Sequence, residues 1–192
     1  RIAAHYDGIR FWDVIGYYPV WKGKEVTPVA FTNQQGGQVE ALPRYYEHLE
    51  NFLVEVKQHG MVVHHTRGDL NAMAWSDVLA HCRRVGAIQR SVGASVVALN
   101  ESCNESWQNG VPDVSRLRDM GDELGPHALR ATSAADDGYG GETVEALKRY
   151  TWDTAYCHGY RGGQSYDRIR HIHAWAYEGF DEANITVPGW QG

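Results

Sequence analysis

Apolar and polar positions along the chain follow two regimes. Short unbroken apolar runs, Met61-Val62-Val63 and Val96-Val97-Ala98-Leu99, end abruptly in polar residues. That is the habit of strands buried on both faces of a parallel sheet. Between such runs the apolar residues recur at helical spacing. Tyr45, Leu49, Phe52, Leu53 and Val56 predict a helix over 42–59, and Trp75, Val78, Leu79 and Cys82 predict a second over 71–84. Pro43 suits the start of the first, and Gly60 its end as a left-handed cap. Val114, Leu117, Met120 and Leu124 predict a third helix over 113–123, with Asp113 as its cap and Gly125-Pro126 as its stop.

Strands are expected at 7–14, 61–65, 96–99, 127–132 and 151–158, with the start of another at 185–187, and further helices at 142–149 and 166–177. The stretch 15–37, rich in Gly, Pro, Tyr and Trp, reads as a long loop, a length that usually marks function. The acidic, glycine-rich 133–141 reads as another. Strand, loop and helix recur about every thirty residues, the size of a βα unit. Such alternation belongs to an open doubly wound sheet or to a (β/α)8 TIM barrel. No GxGxxG, and no GxxxxGK followed by Ser or Thr, comes after a strand, so the commonest reason to prefer a nucleotide-binding open sheet is missing. The expectation is an α/β barrel fold, a segment of about six βα units where closure needs eight. Residues 1–192 thus read as one barrel domain or a piece of one, and the start at Arg1 without a Met fits a longer parent.

Composition narrows the partners. The chain has 192 residues, 43% of them hydrophobic and 22% charged, enough for a real core. A net charge of -6 without a Lys/Arg cluster argues against nucleic acid, which needs a basic face. No apolar run approaches the roughly 20 residues of a membrane span, so membrane insertion is not expected. Cys82, Cys103 and Cys157 show no zinc spacing and no disulfide framework, and read as reduced. Neither a cofactor nor a metal is expected. Seven Trp and eleven Tyr are a heavy aromatic load, useful for stacking on flat apolar faces such as those of sugars.

The sharpest chemical signal is Val96 to Trp107, VVALNESCNESW, where two carboxylates stand at the mouth of a buried strand. In parallel α/β folds that end carries ligands and catalytic groups. Glu101-Ser102-Cys103-Asn104-Glu105 resembles the E-x-x-N-E pattern at the fourth strand end of clan A glycoside hydrolases, the cellulase, mannanase and β-glycosidase group, with Ser106 in place of the usual Pro. The resemblance implies a retaining glycosidase acting on a β-linked oligo- or polysaccharide, with Glu105 as acid/base and Asn104 holding the sugar 2-hydroxyl. Asn100-Glu101 is the competing register. Gly8-Ile9-Arg10 is similar to the family's G-x-R, whose Arg orients the carboxylates, and His158-Gly159-Tyr160 to its His-x-Tyr, which lines the sugar site. On the same footing Arg10, Trp21, Glu101, Trp107, His158 and Tyr160 are candidate substrate contacts, and Tyr17 and Tyr18 further stacking rings.

Retention needs two carboxyl groups about 5 Å apart. The family's nucleophile closes strand seven, ITVPGWQG resembles the approach to it, and that nucleophile is expected beyond Gly192, so the 192 residues alone are expected to be inactive. Bland readings stand beside these: Arg10 as a salt bridge across the barrel mouth, one of His64 and His65 as a packed or capping residue, the aromatics as loop packing, His171 and His173 as surface residues. Two rival functions remain: a non-catalytic carbohydrate-binding or structural barrel in a larger assembly, and a metal-dependent hydrolase using His64, His65, Asp69, Asp136, Asp137 and His158. The compartment is open, a secreted or particle-associated parent being the expectation.

Overall fold

A computed structural model describes residues 7–17, 23–134 and 153–157. The predicted strands at 185–187 and helices at 142–149 and 166–177 lie outside the described residues, as do Tyr18, Trp21, Asp136, Asp137, His158, Tyr160, His171 and His173.

The architecture is mixed α/β around a parallel sheet. In chain order the elements are β1 (Gly8–Trp12), β2 (Phe31–Thr32), β3 (Gln38–Val39), α1 (Tyr45–Gln58), β4 (Val62–Thr66), α2 (Trp75–Val92), β5 (Val97–Glu101), α3 (Arg116–Leu124), β6 (Leu129–Ala134) and β7 (Thr154–Cys157). A single 3-10 turn, Ala94–Val96, leads into β5. Strands β1, β4, β5, β6 and β7 lie side by side in that order, every neighbouring pair parallel. The predicted long loop is interrupted by the short antiparallel pair β2 and β3 and by a bridge between Ile15 and Val26.

Helix α1 lays Tyr45, Leu49, Leu53 and Val56 along one buried stripe. It ends where the sequence indicates: Gly60, at φ 69°, gives its N–H to Lys57, and Met61 gives its own to Val56. Helix α2 differs from its expected span, starting four residues later and running eight residues further. Asn71 is drawn off the helix by its amide, which donates to the Gln108 carbonyl at 3.0 Å. Beyond Arg84 the buried stripe continues through Val85, Ile88 and Val92. Gly86 does not break it, because α3 lies so close that a Cβ there would sit 2.2 Å from the Leu124 carbonyl oxygen. Asp113 opens α3 as expected, though from two residues before the cap: its carboxylate accepts from the Ser115 N–H at 3.1 Å and hydroxyl at 2.6 Å.

Two strand ends shift as well. Strand β5 includes Asn100 and Glu101, which align with His65 and Thr66 of β4 and with Arg130 and Ala131 of β6. Strand β6 runs on through Ser133, expected in a loop. Alternation along these registers sends Arg10, Trp12, His64, Thr66 and Glu101 to one face of the sheet, and Phe11, Asp13, His65 and Asn100 to the other. The second face packs on α1 and α2, and the core of Leu49, Leu53, Val63, Val78, Cys82, Val85, Val97, Leu117, Met120 and Leu124 fills that layer.

Candidate active site

Both faces of the sheet carry polar residues at the carboxyl ends of the strands, and they form two separate networks. The first is centred on Glu101, which is fully buried. Its Oε2 accepts from Arg10 Nη2 at 2.9 Å, from the Thr66 hydroxyl at 2.8 Å and from His64 Nε2 at 3.1 Å. Its Oε1 accepts from the Ser133 hydroxyl. Strands β1, β4 and β6 thus each send a donor to one carboxylate on β5. Both carboxyl oxygens are thus engaged, Oε2 by the cationic Arg10 together with Thr66 and His64, and Oε1 by the neutral Ser133 hydroxyl.

Arg10 does more than pair with Glu101. Its Nη2 also donates to Asn104 Oδ1 at 2.7 Å, and its Nε to Thr66 Oγ1 at 3.2 Å. One guanidinium therefore fixes the Asn104 side chain relative to the Glu101 carboxylate. The backbone of the turn is anchored too: Asn104 N–H donates to the Arg67 carbonyl at 2.9 Å, and Asn109 Nδ2 to the Asn104 carbonyl at 2.8 Å.

Glu105 follows in the left-handed region, φ 39°. That conformation costs a non-glycine residue about 1–2 kcal/mol and survives only where the surroundings hold it. They do so here: Glu105 N–H donates to Ser133 Oγ at 3.0 Å, and the Glu105 carbonyl accepts from Gln108 and Asn109 N–H at 3.1 and 3.2 Å. The Glu105 carboxylate accepts from the Gln108 side chain. Two positions on, Trp107 is 45% exposed.

The second network lies under the helices. Asp13 Oδ2 accepts from His65 Nε2 at 2.9 Å and His81 Nε2 at 3.1 Å, with Arg67 Nε 3.8 Å away. Gln89 Nε2 lies 2.7 Å from His65 Nδ1 and donates to Asn100 Oδ1 at 2.8 Å, while Asn100 Nδ2 donates back to Gln89 Oε1 at 2.8 Å. Arg67 Nη1 donates to Asn100 Oδ1 at 3.2 Å. Burial alone would raise the Asp13 pKa, but His81, Arg67 and His65 outweigh it and hold the carboxyl well below its usual range. Burial, with Arg67 second, lowers His65 to about 4, so its imidazole is neutral near pH 7.

The candidates sort accordingly. Arg10, Glu101, Asn104 and Glu105 come together at the ends of β1, β5 and β6, with His64 beside them. Asn100 is not among them: its side chain is buried against Gln89 and Arg67 on the opposite face. His64 and His65 divide between the faces, His65 being the packed one. Asp69 accepts from the Gly16 N–H at 2.9 Å and from the Tyr17 N–H, which ties the long loop down. The residues of the metal-hydrolase reading that are described therefore do not converge. Two participants had no sequence signal of their own: Thr66, expected in a turn, and Ser133, expected in a loop. Register finds Thr66, which stands beside Glu101 on β4, while Ser133 lies two residues beyond Ala131, the β6 partner of Glu101, on the same face of the sheet.

No family model and no curated protein sequence matches the chain. Among solved structures it is similar to a candidate glycoside hydrolase from Bacteroides vulgatus ATCC 8482, at 14% identity and a TM-score of 0.54, over 81% of this chain and 38% of the other. The chain thus spans well under half the length of that neighbour. At this identity the likeness concerns the fold: a mixed α/β arrangement with a parallel sheet, compatible with a glycosidase-like architecture.

Proposed function

We propose that this chain is part of a retaining glycoside hydrolase on a (β/α)8 barrel, cleaving O-glycosidic bonds of a β-linked oligo- or polysaccharide, with Glu105 as acid/base. The strand order supports the barrel, because parallel neighbours that follow the chain order are what sequential βα units produce on the way to closure. One observation carries the site: Arg10 joins Glu101 to Asn104, the residue before Glu105, while Asn100 faces the helices. This favours the register ending in Asn104-Glu105 over Asn100-Glu101.

The roles follow from proton chemistry. A general acid must carry a proton to the departing glycosidic oxygen, and Glu101, fully buried, has both oxygens already engaged by Arg10, Thr66, His64 and Ser133. Glu105 takes the acid/base part. Asn104, clamped by Arg10, is placed for the 2-hydroxyl, and Trp107 offers an exposed ring for stacking. Glu101 takes a positioning part in place of a sugar contact. The nucleophilic carboxylate is assigned outside the described residues, together with the sugar-site roles of Trp21, His158 and Tyr160.

In the full polypeptide that carries this chain, Glu105→Ala is expected to lose about 10²–10⁴-fold in kcat on 4-nitrophenyl β-glycosides. Azide should restore turnover to that variant, since an anionic nucleophile needs no base to displace the sugar from the glycosyl-enzyme and leaves as the glycosyl azide, and should leave Glu101→Ala unrescued. Rescue of Glu101→Ala instead would reverse the assignment, and a wild-type protein that binds β-glucans without turnover would replace the enzyme by a binding module.

A further inference from the structure

Ser133 belongs to a strand that contributes no other side chain to the Glu101 network among the described residues, yet its hydroxyl touches both glutamates. It donates to Glu101 Oε1 and accepts the Glu105 N–H at 3.0 Å. A serine hydroxyl has one proton to give and lone pairs to receive, so both bonds form at once and with fixed direction. Thr66 mirrors it from β4, donating to Glu101 Oε2 at 2.8 Å and accepting Arg10 Nε at 3.2 Å. The Glu101 carboxylate is therefore gripped by two hydroxyls on its flanking strands. Through Thr66 it is tied to the arginine, and through Ser133 to the backbone of Glu105.

The second tie matters because of the backbone at Glu105. Its φ of 39° sets where the side chain leaves the main chain, and a non-glycine residue relaxes from that region when nothing holds it. Ser133 is fully buried, so no water stands ready to replace its hydroxyl. We infer that Ser133 is a positioning residue for Glu105: anchored on the Glu101 carboxyl group, it holds the Glu105 amide and thereby aims the Glu105 carboxyl. This rests on the reading of Glu105 as acid/base. Ser133 itself exchanges no proton with substrate. Its part is geometric, and misplacing a catalytic group by about an ångström can cost on the order of 10²-fold in rate.

The test uses the full polypeptide with Ser133→Ala, Ser133→Cys and Ser133→Thr, assayed on 4-nitrophenyl β-glycosides beside Glu105→Ala. Alanine removes both bonds, cysteine keeps the size with a poor donor, and threonine keeps the hydroxyl. Ala and Cys are expected to lower kcat by about 10–100-fold with KM within about twofold, and Thr to recover most of kcat. Amide hydrogen exchange at Glu105 should quicken in Ser133→Ala and not in Ser133→Thr. Wild-type kcat in Ala and Cys, or losses in all three that track a lowered melting temperature, would overturn the inference. If Glu105→Ala keeps its activity the acid/base reading fails, and this inference with it. If Glu105→Ala is dead while Ser133→Ala turns over normally, only the role of Ser133 falls.

Discussion

Arg67 has no contact with solvent, and its charge is balanced by Asp13 across 3.8 Å with Asn100 and the His65 carbonyl accepting from the guanidinium. Removing one member of a buried pair strands the other, at about 3–5 kcal/mol, far above the value of a surface ion pair. Arg67→Met should therefore lower stability by about that amount in urea unfolding, whereas Arg44→Met, which breaks an exposed, solvent-screened pair with Glu47, should leave the urea midpoint nearly unchanged. Equal effects would show that Asp13 finds compensation elsewhere. At this scale the sequence names the acids near the strand mouth but not their partners. Glu101 and Glu105 were both visible in VVALNESCNESW, but the donors that distinguish them come from far along the chain, Arg10 being 91 residues from Glu101.

Among elements, α1 was legible because its apolar stripe and Gly60 agree on where it runs and stops. Helix α2 was not, since Arg83, Arg84 and Gly86 interrupt the pattern that local reasoning uses to extend a helix. Gly86 has a tertiary purpose: α3 packs its last carbonyl where a side chain would be. In an exposed helix Gly→Ala gains up to about 1 kcal/mol, but overpacking against backbone costs about 1–3 kcal/mol, so the clash decides the sign. Gly86→Ala is expected to destabilise, read as a lower urea midpoint with an unchanged slope. A raised midpoint would mean that α3 shifts at little cost. The two-residue extensions of β5 and β6 belong here too. Propensity gives Asn100, Glu101 and Ser133 no strand preference, and pairing with neighbouring strands supplies it.

For the whole molecule, the network under the helices sets the response to acid. His65 titrates near 6.5 when unfolded and at about 4 when folded, so between those values the unfolded chain binds a proton that the folded chain refuses. Stability therefore falls as pH drops through that window, and His127, also lowered by burial, adds in the same direction. Below about pH 4 the unfolded chain also protonates Asp13, whose folded pKa is depressed, and the loss continues. Denaturation midpoints from pH 7 to pH 4 should decline steadily, and His65→Gln should flatten the decline between 6.5 and 4. A flat wild-type profile there would refute the assignment of His65 as a neutral buried group. What the sequence determined by itself was the alternation of buried runs and amphipathic stripes that yields a parallel sheet under helices, and the placing of acids where such a sheet binds ligands. These are local properties, written in periodicity. Only the tertiary structure decided which face each polar residue serves, that Asn104 and not Asn100 joins the glutamates, and that Thr66 and Ser133 hold them. Strand register and helix cover are settled by packing across the whole chain, and a shift of one residue would turn every one of those side chains to the other face.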